Sequence, residues 1–304
     1  MSRIFEALQR LGTEQSGVEY PDMVAVATEV FEAPQGERFA DRPREAAESE
    51  GAEAFSSAAD AQQRAAVAAI DFPSLQISVT PASRLVFLLE PDSLAAEKFR
   101  FLGVRLRQMR QNRPLKRVLI TSTIPEEGKS LVSANLAGVL AQRKQKVLLI
   151  EGDLRRPVLS EQFGVGTLAG LGEWLQSGSQ TLSNIYKLEG PGFWLMPAGN
   201  PPGNPLELMQ SGRLSLLMNQ LAGIFDWIIV DSPPLLPLAD TTVWARVTEG
   251  TLLVAREAKT ERTQLMQGLE LLKKSDLLGV VLNGCTQSDH KNYYQRYSPP
   301  PAKK

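Results

Sequence analysis

The chain has 304 residues, of which 43% are hydrophobic and 22% charged, and a formal net charge of -1. That length holds one large domain with an appendage, and the balanced charge argues against nucleic acid or an anionic membrane as a direct partner. A single cysteine, Cys285, and a single histidine, His290, exclude an internal disulfide and a His/Cys metal site, which fits a reducing cytoplasm.

Residues 1–11 open the chain with Ile4, Phe5, Leu8 and Leu11 on one face of a short helix, either a docking peptide or a frayed terminus. Residues 12–90 are expected to be a mostly disordered linker. From Gly12 to about Ile70 the chain is Ala, Glu, Ser, Gly and Pro with few large apolar residues, too little to offset the entropy of ordering. Residues 1–70 also carry thirteen Asp/Glu against six Lys/Arg. No apolar run approaches the roughly 20 residues of a membrane helix, so contact with a membrane is expected only through a partner.

Over 91–288 strand and helix patterns alternate. Strands are expected at 117–122, 146–151, 193–197, 226–231, 250–255 and 278–283, several of them continuous apolar runs of the kind covered on both faces. Helical periodicity falls at 93–111, 129–142, 212–222, 240–247 and 261–274. The alternation predicts an α/β fold, a mostly parallel sheet with helices on both faces, and ligands at the carboxyl ends of the strands.

Three motifs lie at those ends. The first strand runs into Thr123-Ile124-Pro125-Glu126-Glu127-Gly128-Lys129-Ser130 and then a helix, the strand–loop–helix setting of a P-loop. The loop from Pro125 to Leu131 would wrap phosphates with its backbone N–H groups, Lys129 would reach the β/γ oxygens of ATP, and Ser130 would ligate Mg²⁺. The first glycine of the usual pattern is replaced by Thr123. The second motif, Val147 to Pro157, ends a buried strand in Glu151-Gly152-Asp153 and continues to Arg155 and Arg156. Asp153 is expected in the metal's outer shell and Arg155 near phosphate or an acidic partner. The third, Phe225 to Pro234, places Asp231 after four apolar residues, as in a Walker B strand, so that Ser130, Asp153 and Asp231 form the expected metal set.

Together the motifs resemble the bacterial tyrosine kinases of capsule and exopolysaccharide export, over about 91–298. The resemblance extends to Ala96-Glu97-Lys98-Phe99-Arg100, to Pro197-Ala198-Gly199 followed by Asn204-Pro205-Leu206-Glu207-Leu208, and to Gly279-Val280-Val281-Leu282-Asn283. It implies a P-loop NTPase fold, Mg-ATP as phosphoryl donor, and Asn283 near the adenine. It makes Tyr293, Tyr294 and Tyr297, in the polar tail 289–304, the autophosphorylation cluster, and Glu151 the proton acceptor, with Asp153 as the alternative. It further implies a homo-oligomer and a separate membrane chain-length-determinant (co-polymerase) partner that recruits the cytoplasmic chain to the inner face of the plasma membrane.

The chain departs from the family pattern at Glu151, where Asp is usual, and at Gly103, where the family's oligomerisation helix has a second arginine after Glu97 and Arg100. A nucleotide-binding regulatory module of the same machinery is the alternative function. A partition or septum-positioning ATPase ranks lower, because the second lysine of those P-loops is Ile124 here. A dehydrogenase lacks its Gly-x-Gly-x-x-Gly after the first strand.

Overall fold

The computed structural model describes residues 72–285, except Ser179, Pro237 and Lys274. The expected N-terminal helix 1–11, most of the linker 12–90 and the tyrosine tail 289–304 lie outside the described residues. In chain order the elements are β1 (Ser74–Gln76), α1 (Val86–Leu89), α2 (Leu94–Asn112), β2 (Arg117–Ser122), α3 (Lys129–Ala141), β3 (Val147–Glu151), α4 (Leu159–Gln162), α5 (Leu171–Ser177), β4 (Tyr186–Glu189), β5 (Trp194–Met196), α6 (Pro205–Gln210), α7 (Arg213–Ile224), β6 (Trp227–Asp231), α8 (Asp240–Val247), β7 (Gly250–Arg256), α9 (Arg262–Leu271) and β8 (Leu277–Asn283).

The eight strands form one sheet in the order β1-β4-β5-β3-β6-β2-β7-β8. Every pairing is parallel except that of β4 with β5. The central strands are buried on both faces, and their alternate residues feed two cores. Val118, Ile120, Val147, Leu149, Trp227 and Ile229 pack beneath α2 and α3. Leu119, Leu148, Ile150, Ile228 and Val230 pack on the other side with residues of α5, α7 and α8.

Helix α3 is wedged between α2 and the sheet and is buried along most of its length. Its contact with α2 is close at Gly103, where an added Cβ would lie 3.3 Å from Val139 Cγ2. The glycine that departs from the family pattern therefore lies in a packing seam rather than on the open face of α2. Helix α2 is capped by the Ser93 side chain, which accepts from the Ala96 amide, and it stops before Pro114, whose ring disfavours a helical residue ahead of it.

The folded body begins earlier than the expected boundary at 91. Strand β1 pairs with β4, and Leu85 and Phe87 are buried against α3. The Asn135 side chain fastens this segment, accepting from the Phe87 amide and donating to the Arg84 carbonyl. Residues 72–90 thus belong to the folded body, with Leu85 and Phe87 in its core, which corrects the linker assignment over that stretch.

Candidate nucleotide site

The carboxyl ends of β2, β3 and β6 meet at the N-terminus of α3. In α3 the Val132 amide bonds the Gly128 carbonyl at 3.0 Å, and the amides before it project from the helix start. Amides so placed, at the positive end of the helix dipole, suit an anion such as phosphate. Gly128 sits at φ 96°, and a Cβ there would lie 2.1 Å from Asn283 Nδ2, so only glycine fits. Glu126 takes the left-handed conformation without being glycine, at φ 63°, which costs on the order of 1 kcal/mol and is held from outside the loop. Lys259 Nζ pairs with its carboxylate at 2.7 Å, and Arg256 Nη1 donates to its carbonyl at 3.2 Å. Pro125 has no amide to donate and contributes shape alone. Leu131 begins the buried side of α3, packed against the core.

Lys129 Nζ lies 3.3 Å from Asp153 Oδ2, with Asp153 buried and Lys129 mostly so. Burial acts against the charge on Lys129, but Asp231 and Asp153 outweigh it and hold the ammonium above its ordinary value. Asp231 is buried beside them, and its carboxyl is pushed up by that burial, against the opposing pull of Lys129 and the Ser130 hydroxyl. Its Oδ1 accepts from Ser133 Oγ at 3.2 Å, whereas Oδ2 is buried without a hydrogen-bond partner. A buried, orphaned carboxylate oxygen beside a serine hydroxyl suits a hard cation that takes one or two protein oxygens and completes its shell with phosphates and water. Mg²⁺ fits that description, with Ser130 and Asp231 to hold it. Among the described residues no cluster of three His, Cys, Asp or Glu forms an all-protein cage. Both Asp153 oxygens are engaged: Oδ1 accepts the amides of Arg155 and Arg156, and Oδ2 faces Lys129.

Several expected roles change. Glu151, expected as proton acceptor, is buried with its carboxylate fully engaged. Oε1 accepts from the amides of Val158 and Leu159, and Oε2 from Ser160 Oγ at 3.1 Å and the Ala198 amide at 3.1 Å. A carboxylate has about four acceptor positions, and these four donors fill them. Glu151 therefore ties the start of α4 and the exit of β5 to β3. Its extra methylene over Asp serves that reach.

Arg155, expected near phosphate, is gripped bidentately by Asp240 at the start of α8, with Nε 2.7 Å from Oδ2 and Nη2 3.2 Å from Oδ1. Asn283, expected near the adenine, lies against the cradle and donates to the Glu127 carbonyl at 2.9 Å. The Glu127 side chain turns inward, accepting from Thr123 Oγ1 and the Ile124 amide. Thr123 was read only as the replacement of a glycine, and Ser133, Asp240 and Trp244 escaped the sequence reading. Trp244 Nε1 donates to the Gly152 carbonyl, and its ring sits 2.9 Å from where a Gly152 Cβ would be, which fixes the glycine between the two acids.

The chain is similar to known proteins, although no family model matches it. Tyrosine-protein kinase YwqD of Bacillus subtilis (strain 168) is 35% identical over 211 residues, covering 69% of this chain and 89% of the relative. This chain belongs to the bacterial tyrosine-protein kinases. The kinase domain of the Escherichia coli tyrosine kinase ETK superposes with a TM-score of 0.64 at 32% identity, over 66% of this chain and 79% of that one. The septum site-determining protein MinD of Pyrococcus horikoshii OT3, solved with Mg-ADP, superposes with a TM-score of 0.50 at 25% identity, over 62% and 79%. The kinase family and the wider P-loop fold are thus both established, and no described helix is long and apolar enough to cross a membrane.

Proposed function

We propose that this kinase transfers the γ-phosphoryl group of Mg-ATP to Tyr293, Tyr294 and Tyr297 of a neighbouring copy, and that it does so in the control of exopolysaccharide or capsule export. The observation that carries the reading is the convergence of Lys129, Asp153 and the orphaned Asp231 oxygen at the open N-terminus of α3. The cradle amides bind the β/γ phosphates. Lys129 leaves Asp153 to neutralise charge on the transferring group. Ser130 and Asp231 would hold magnesium, which would supply positive charge to offset that of the phosphates. The tyrosine oxygen forms its bond to the γ-phosphorus as the bond to the β–γ bridging oxygen breaks, and ADP leaves. Glu151 has no open acceptor position, so Asp153, freed on one oxygen by the movement of Lys129, takes the tyrosine proton.

By the family resemblance the chain works as a homo-oligomer with a separate membrane chain-length-determinant partner, at the inner face of the plasma membrane. The test is incubation with Mg-ATP followed by mass spectrometry of the tail. Wild type is expected to carry phosphate on the tail tyrosines. The triple Tyr→Phe variant at 293, 294 and 297 is expected to carry none while still binding Mg-ADP. A blank result for wild type that binds nucleotide would favour a regulatory nucleotide-binding module instead.

A further inference from the structure

The cradle is gripped from one side by elements that the phosphate motif does not include. The Glu127 carboxylate is fully buried, and inside the loop it accepts from Thr123 Oγ1 and the Ile124 amide. A further donor comes from outside: Thr260 Oγ1, just ahead of α9, donates to Glu127 Oε1. A carboxylate only accepts, so the hydroxyl gives its one proton to Glu127, while the same oxygen accepts from the Arg256 amide at 2.7 Å. The backbone at the end of β7, the Thr260 hydroxyl and the Glu127 carboxylate therefore form one directed chain into the loop.

The substitution of Thr123 for the usual glycine belongs to the same device. Its hydroxyl serves Glu127, and its methyl lies against α9, where a Cβ on Gly268 would come within 2.5 Å of Thr123 Cγ2. The left-handed turn at Glu126 needs such support, and Arg256 and Lys259 reach it from the same connection.

We propose that Thr260 is a positioning residue for the phosphate cradle, acting through the buried Glu127 carboxylate to hold residues 123–128 in the shape that receives a nucleotide. The proposal rests on the nucleotide-binding reading of the site. Thr260 itself touches no reacting atom. Without its hydroxyl, Glu127 Oε1 loses its only described donor from outside the loop, and the Glu127 carboxylate is tied to the loop alone.

Two readouts test this on the full chain. Thr260→Val keeps the shape of the side chain and removes the donor, while Thr260→Ser restores the donor. In the nucleotide-free protein, Thr260→Val is expected to speed hydrogen exchange of the Ile124 amide about tenfold, and in calorimetry to weaken Mg-ADP binding about tenfold. Thr260→Ser should stay within about twofold of wild type in both. Glu127→Gln, which turns an amide toward the donors, should reproduce the valine result if Thr260→Val folds poorly. A lowered melting temperature for Thr260→Val with unchanged Ile124 exchange and unchanged Mg-ADP affinity would reduce Thr260 to a packing residue and overturn the proposal. If wild type takes up no Mg-ADP, the nucleotide reading fails, and the exchange rates alone decide whether Thr260 shapes the loop.

Discussion

The two ends of the sheet are built on opposite electrostatic terms. At the amino end, Glu249, Asp226, Arg117 and Arg110 are matched. Glu249 accepts from the amides of Lys116 and Arg117 and from Arg117 Nε, and Asp226 accepts from the Lys146 amide. Arg110 donates to the Asp226 carbonyl and lies 4.8 Å over the Trp227 ring. At the carboxyl end, Lys129 is set among Asp153, Asp231 and Glu151, Asp231 Oδ2 has no partner, and Glu126 holds a left-handed turn. The same strands carry both ends, so strand sequence alone does not make the difference. The satisfied end secures the fold, and the unsatisfied end keeps donors and acceptors available for a ligand.

The comparison breaks most sharply at Asp231. Asp231→Asn removes a buried carboxylate whose ionisation is disfavoured by its surroundings. The nucleotide-free protein should gain about 2–4 °C in melting temperature, the shift about 1 kcal/mol gives in a domain of this size, while magnesium-dependent nucleotide binding falls at least about 100-fold. A loss of stability would show that Asp231 is structural. The wild-type carboxyl must ionise to meet a cation, and its pKa is raised. Mg-ADP affinity should therefore weaken as the pH falls through that raised value, a weakening absent from Asp231→Asn.

A smaller effect, of opposite kind, is expected at Glu151. Glu151→Gln places an amide against donors at the start of α4 and should cost about 2–3 kcal/mol of stability in chemical denaturation. Phosphotransfer by the folded fraction should persist. Loss of activity at full stability would return Glu151 to the role of proton acceptor.

The smallest change belongs to the amino end. Glu249→Gln should cost about 1 kcal/mol and leave nucleotide binding within about twofold, since the side chain is partly exposed and solvent screens the pair. Burial works against the charged form of Glu249, but the amides of Arg117 and Lys116 and the Arg117 charge outweigh it and hold the carboxyl below 4.5. Its contribution is thus present above pH 4.5 and is lost as the pH falls through the depressed folded value. An acid unfolding midpoint identical in wild type and Glu249→Gln would contradict this.

Much of this was legible in the sequence because the central strands are continuous apolar runs that end in charged or hydroxyl residues. Strand β2 and helix α8 match their expected spans, and β3, β6, β7 and β8 differ by a residue at one end. Strand β4 was missed because Tyr-Lys-Leu-Glu is short and half polar, as suits a strand near the sheet edge, and β1 has three residues. Helices α4 to α6 are too short to show a helical period. Lys129 and Asp153 came together as the strand ends implied. The fate of Glu151 was hidden because its donors are mostly backbone amides, one of them 47 residues away. Thr260 lies 133 residues from Glu127 and belongs to no motif.

We propose that Lys129, Ser130 and Asp231 meet around the terminal phosphates of a magnesium nucleotide. Calorimetric titration of Mg-ATP into wild type and Lys129→Met tests it most directly. Wild type should take up nucleotide in a magnesium-dependent way, and Lys129→Met should lose that uptake together with tyrosine phosphorylation. Uptake of equal strength by both proteins, or by neither, would contradict the account.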